Sequence, residues 1–129
     1  MQVTRERAIR VLISITVLSL LLHLLILVKI IPYEITWGGR LNNDSEMFLF
    51  ESMSIGILTF LLLVLLQKGK HLKAFLSKRA ITIILWIYFA LFALNTLGNL
   101  FADTRFEQSF AAVTFACALL LLIINRKQH

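Results

Sequence analysis

The chain is 129 residues long and 59% hydrophobic, and its 13 basic residues against 7 acidic ones leave a formal charge of +6. Soluble domains hold about 45–50% apolar residues; here the surplus is gathered into four runs, each close to the roughly 20 residues that cross a bilayer core, which leaves no length for a separate soluble domain. The basic residues sit in short segments beside those runs, with no basic stripe interleaved with aromatics, so nucleic acid is excluded as a partner and membrane lipids with anionic headgroups are expected instead.

Arg5, Arg7 and Arg10 followed by an apolar stretch imitate a signal peptide. The stretch outlasts a usual h-region, however, and no Ala-x-Ala cleavage site follows it, so it is read as a retained first span. This first run covers about 8–31, and Pro32 is expected to end it by breaking the hydrogen-bond ladder. Thr16, Ser19 and His23 recur along it at spacings of three and four and share one helical face. The segment from Pro32 to Glu46 mixes aromatics, Gly38-Gly39, Arg40 and acids. Tyr33 and Trp37 suit an interfacial aromatic belt, and Asn42 to Ser45 carry turn and N-cap chemistry.

The second run covers about 46–66 and holds Glu51 about one turn in, with Ser52 and Ser54 beside it. The connector 67–79 carries Lys68, Lys70, Lys73, Lys78 and Arg79. Leu72, Phe75 and Leu76 hint at a short interfacial helix, but a plain basic connector is the favoured reading. The third run, about 80–101, holds Tyr88, Asn95 and Asn99; the fourth, about 106–124, is interrupted early by Glu107 and Gln108 and contains Thr114 and Cys117. A lone cysteine excludes an intrachain disulfide and a Cys-x-x-Cys couple.

Lipid cannot satisfy exposed backbone groups, so each run must be helical. The expected fold is an all-α integral membrane protein, a four-helix antiparallel bundle in one domain over 1–129. Ten of the basic residues fall on the face that carries both termini, against Lys29, Arg40 and Arg105 on the other, so both termini are expected in the cytoplasm.

Polar side chains in hydrocarbon are expensive, and their depth is informative. At 1.5 Å per residue, His23, Asn95, Glu51 and Asn99 lie roughly 5, 6, 8 and 12 Å outward of their run midpoints. The inner halves are almost wholly Leu, Ile, Val and Phe. The pattern describes a polar cup in the outer half over an apolar floor. Its candidate ligand-binding residues are Glu51, Asn95, Asn99 and His23, covered by Trp37 and Arg40. Each has a plainer reading. Glu51 can reach headgroups or favour the helix dipole, His23 can be a hydrogen-bonded interior side chain, and the asparagines can join helices. Arg40 can pair with Glu34 or Asp44, or fold over Glu51, and Lys29 can snorkel outward. Ser52-x-x-x-Gly56, Gly98-x-x-x-Ala102 and Ala112-x-x-x-Ala116 allow close helix approach within the chain or between copies. No catalytic, phosphate-binding or metal-ligand motif is present, and no cofactor or metal is expected.

The strings Trp37-Gly38-Gly39-Arg40, Glu46-Met47 to Phe50-Glu51 and Asn95-Thr96-Leu97-Gly98-Asn99-Leu100-Phe101-Ala102 resemble a family of small, uncharacterised four-helix bacterial membrane proteins. The resemblance spans most of the chain. It implies a multi-pass place in a bacterial inner membrane and brings no activity. The signature acids and glycines of small multidrug transporters and fluoride channels are not at matching places. The leading expectation is a non-enzymatic protein whose outer cup binds a small amphiphile, a lipid or a partner helix. A proton-coupled transporter acting as a homo-oligomer, with Glu51 carrying the proton, is the alternative. An outer-leaflet enzyme using Glu51 or His23 as acid or base comes third.

Overall fold

The computed structural model describes residues 2–32, 43–102 and 105–126, with side chains from residue 4 onward, and these residues form helices and no strand. In chain order they are α1 (Gln2–Leu27), α2 (Asp44–Lys68), α3 (Lys78–Leu100) and α4 (Arg105–Asn125). All four are long and apolar enough to cross a membrane. One end of the bundle, the terminal side, holds the start of α1, the 69–77 connection and residue 126; the other, the loop side, holds the ends of α1 and α3 and the starts of α2 and α4.

Local chemistry sets the helix ends. The Asn43 side chain accepts the Glu46 N–H (2.9 Å) at the start of α2, and Asp44 and Glu46 place negative charge in that first turn. Ser77 does the same for α3, its hydroxyl accepting the Ala80 N–H (3.1 Å). The first helix ends at Leu27 and not at Pro32. Its stop is a Schellman turn, in which the Ile30 N–H donates to the Leu25 carbonyl (2.9 Å) and the Lys29 N–H to that of Ile26 (3.0 Å). α2 closes in the same way through His71 to Leu66 (2.8 Å) and Lys70 to Gln67 (3.0 Å). In both turns a lysine, Lys29 at φ 67° and Lys70 at φ 64°, occupies the left-handed position where glycine is usual, at a cost of about 1–2 kcal/mol. Gly69, one residue earlier, serves a close approach instead. A Cβ there would come within 3.2 Å of Ile9 on α1 and 2.9 Å of the His71 ring.

The connection 69–77 contains no helix, as the plain-connector reading expects. It is clasped by one side chain. Gln67 Oε1 accepts the N–H groups of Phe75 (3.0 Å) and Leu76 (3.1 Å), while Nε2 donates to the Leu76 carbonyl (2.7 Å).

The helices alternate in direction. α1 packs along α2, α3 along α4, and the two hairpins meet chiefly where α1 lies against α4; α2 and α3 touch least. Polar ties mark each seam. Arg5 donates to the Arg126 carbonyl, Asn125 Nδ2 to the Thr82 carbonyl (2.9 Å) and the Tyr88 hydroxyl to the Ile57 carbonyl (2.6 Å). Leu12, Leu61, Leu65, Leu85, Leu121 and Ile124 fill the interior toward the terminal side and are fully buried. The outside is as apolar as the inside, with Leu18, Ile87 and Leu94 each more than 60% exposed. Water would penalise such a continuous greasy belt, whereas lipid tails accept it. Four helices long and apolar enough to span, with this surface, suggest a multi-pass membrane protein, and between helices in lipid packing and hydrogen bonds, not transfer from water, supply the attraction. The small-residue pairs do not serve that packing within the chain: Ser52 and Ala112 are exposed, and a Cβ at Gly56 or Gly98 would meet no atom within 4 Å.

Candidate functional site

Antiparallel packing of α1 on α2 brings the end of one beside the start of the other. His23, four residues before the last of α1, therefore meets Glu51, seven residues into α2. His23 Nδ1 lies 2.5 Å from Glu51 Oε2. Glu51 is 0% exposed, while the histidine side chain keeps 21% exposure. An ionisable pair about 10 Å inside a spanning helix is costly unless each member satisfies the other. The carboxylate also orients the ring. With Nδ1 held, Nε2 faces away and has no hydrogen-bond partner among the described residues.

Apolar groups lie on both sides of this pair. Toward the terminal side is the main core; toward the loop side Ile26 and Met47, one turn beyond His23 and Glu51, bury each other with Leu22, Leu27 and Ile31 packed around them. The pair thus sits in a polar layer with an apolar plug above it as well as a floor below. Nearer the loop-side end, Lys29 pairs with Asp44 and lies 5.9 Å from the centre of the Phe48 ring, tying α1 to the first turn of α2. Lys29 thus reaches outward past the end of α1, about half-exposed, with Asp44 as its partner there.

The other candidates fall elsewhere. Asn95 is exposed and Asn99 half-buried, both on α3, and neither side chain makes a hydrogen bond to a described residue. They do not join the His23–Glu51 contact. Trp37 and Arg40 lie outside the described residues, as do Tyr33, Glu34 and the Gly38-Gly39 pair.

A second buried carboxylate was not among the candidates. Glu107, in the first turn of α4, is 2% exposed and, like Glu51, is not without a partner. Its place directly after Arg105-Phe106 reads in the sequence as an interruption at the membrane edge; only the packing of α4 against α1 and α3 shows that it turns inward. Thr96 and Thr114 also meet, hydroxyl to hydroxyl at 2.9 Å, across α3 and α4. Among the described residues no cluster of three or more His, Cys, Asp or Glu side chains could hold a metal ion. Chemically the arrangement can hold a proton between a carboxylate and an imidazole, and can present one oriented imidazole nitrogen to a hydrogen-bonding group.

No protein-family model matches the chain, and comparisons with curated proteins and with solved structures likewise return no match.

Proposed function

We propose that the chain is a bacterial inner-membrane protein with both termini cytoplasmic, and that the His23–Glu51 pair in its outer half binds the hydrogen-bonding headgroup of a small amphiphile or lipid. The topology rests on the basic residues, most of which lie on the terminal side, at 5–10, 68–79 and 126–127. The binding reading rests on one observation above all. A fully buried carboxylate holds a partly exposed histidine by one nitrogen and leaves the other unoccupied, inside a membrane-spanning bundle. Glu51 then positions the ring, and His23 Nε2 contacts the headgroup.

The test is native mass spectrometry of the full chain, taken from mild detergent after incubation with a mixture of phosphatidylethanolamine, phosphatidylglycerol and their lysolipids. Wild type should retain one species selectively, and His23→Gln should lower that retention about tenfold with helix content unchanged. Equal retention by the variant ends the reading. A histidine sharing a proton with a carboxylate also suits the transporter alternative, as an oligomer with Glu51 carrying the proton. That alternative predicts pH-driven flux in liposomes that vanishes in Glu51→Gln. A chain that stays monomeric in bilayers counts against it, because four short helices do not enclose a pathway alone.

A further inference from the structure

The route to the His23–Glu51 pair straight down from the loop side is blocked, since Ile26 and Met47 are each 0% exposed. A ligand needs another way in, and the packing leaves one. α2 and α3 are consecutive and clasped together at the 69–77 connection, yet they touch less than any other neighbouring pair. The Tyr88 hydroxyl on the Ile57 carbonyl bridges the two about twelve residues, or about 18 Å, from the loop-side ends. That contact also identifies which face of α3 looks toward α2. Leu91, Asn95 and Asn99 follow Tyr88 at spacings of three and four, and so lie on the same face. Between the bridge and the loop side this face is not closed by α2. Asn95 is exposed, Leu91 and Asn99 are half-buried, and across the seam Ile57 is 41% exposed.

The seam is graded. Near the bridge its walls are Leu91 and Ile57. Above them Asn95 stands about 8 Å from the end of α3 and Asn99 about one residue from it. Asn95 carries both a donor and an acceptor that no described residue satisfies, an arrangement that hydrocarbon penalises unless a polar partner arrives. Apolar below and hydrogen-bonding above, at headgroup depth, is the polarity profile of a lipid standing in its own leaflet.

We infer that the loop-side half of the α2–α3 seam is a lateral doorway for a bilayer lipid, with Asn95 and Asn99 taking its headgroup and Leu91 and Ile57 flanking one acyl chain. The inference rests on the proposed His23–Glu51 site, which lies between α1 and α2 beside this seam. It commits to lipid over a second copy of the chain because α2 and α3 touch least of the neighbouring helices and because the polarity of the seam changes with depth. A helix from another copy would ask for a flat apolar face with small residues at the contact; the exposed Gly98 and Leu94 of α3 lie nearer its outer side.

The full chain, reconstituted in phosphatidylethanolamine and phosphatidylglycerol vesicles containing a phosphatidylethanolamine with a diazirine midway along one chain, is irradiated, and the labelled residues are mapped by mass spectrometry. Leu91 and Ile57 should be labelled at least fivefold more than Leu18, which is as far from its loop-side helix end as Leu91 is and is more exposed. Asn95→Leu with Asn99→Leu should bring the seam down to the Leu18 level, and Asn95→Gln alone should preserve the enrichment. Equal labelling of Leu91, Ile57 and Leu18 overturns the doorway, as do cross-links joining two copies through α3. If labelling is equal but His23→Gln still loses its lipid, the doorway falls and the headgroup site stands. If wild type holds no lipid at all, both fall.

Discussion

Replacing His23 with leucine is expected to be among the most damaging single changes to this bundle, costing about 3–5 kcal/mol. The loss comes from what stays behind. Glu51 is fully buried and its oxygen lies 2.5 Å from the imidazole, so removal of the ring takes one partner away from a carboxylate inside the bundle and puts an apolar side chain in its place. His23→Leu combined with Glu51→Leu should recover most of the stability, because an apolar pair of similar volume needs no partner in the bilayer interior. Reversible unfolding in mixed micelles measures both variants, and a single variant as stable as wild type would mean the pair is not buried. The double variant also separates two roles. If the contact is only an interhelical tie, a refolded His23→Leu/Glu51→Leu protein keeps its lipid-binding profile; in the proposed function it loses it.

The second large effect is expected at Gln67. One side chain makes three hydrogen bonds to the backbone of Phe75 and Leu76. Gln67→Leu removes them together and frees two N–H groups and a carbonyl, a local loss of about 1–3 kcal/mol. The connection should then open more often, and trypsin cleavage at Lys70 and Lys73 should rise on the order of tenfold. In sealed vesicles that cleavage is expected only when the cytoplasmic face is outward. Cleavage from the opposite face would reverse the proposed topology, and an unchanged rate in the variant would show that the clasp does not restrain the connection.

The four long helices are readable in the sequence because a span must be long and apolar at once. The runs read as 46–66, 80–101 and 106–124 differ from α2, α3 and α4 by no more than two residues at either end. The first run is the instructive departure. Its helix begins at Gln2, well before the apolar stretch, because Thr4 to Arg10 are compatible with helix once the downstream turns exist. It ends at Leu27, because a Schellman turn can close on a lysine at positive φ, which residue preferences do not anticipate. In the same way, depth alone places His23 and Glu51 at a shared level, yet it does not say which helices are neighbours. Glu51 is within reach of Asn95 by depth, and packing gives it to α1 instead. The plug of Ile26 and Met47 is invisible for a related reason, since two ordinary aliphatic residues reveal their position only when their helices are side by side. Glu107 shows the complementary difficulty, because an acid in the first turn of a helix has a sufficient electrostatic reason to be there before any burial is considered.

The unequal seams bear on how such a molecule is made. Each crossing has its main neighbour in the crossing synthesised just before or just after it, α1 with α2 and α3 with α4. Two hairpins can therefore enter the bilayer in succession, each with most of its short-range contacts already in place. Joining them is a later and looser step, made along α1 and α4 and fastened where Arg5 reaches the Arg126 carbonyl. The gap left between the second and third crossings is then a by-product of that order of assembly: the hairpins dock on one flank, and nothing in the docking requires the other to shut.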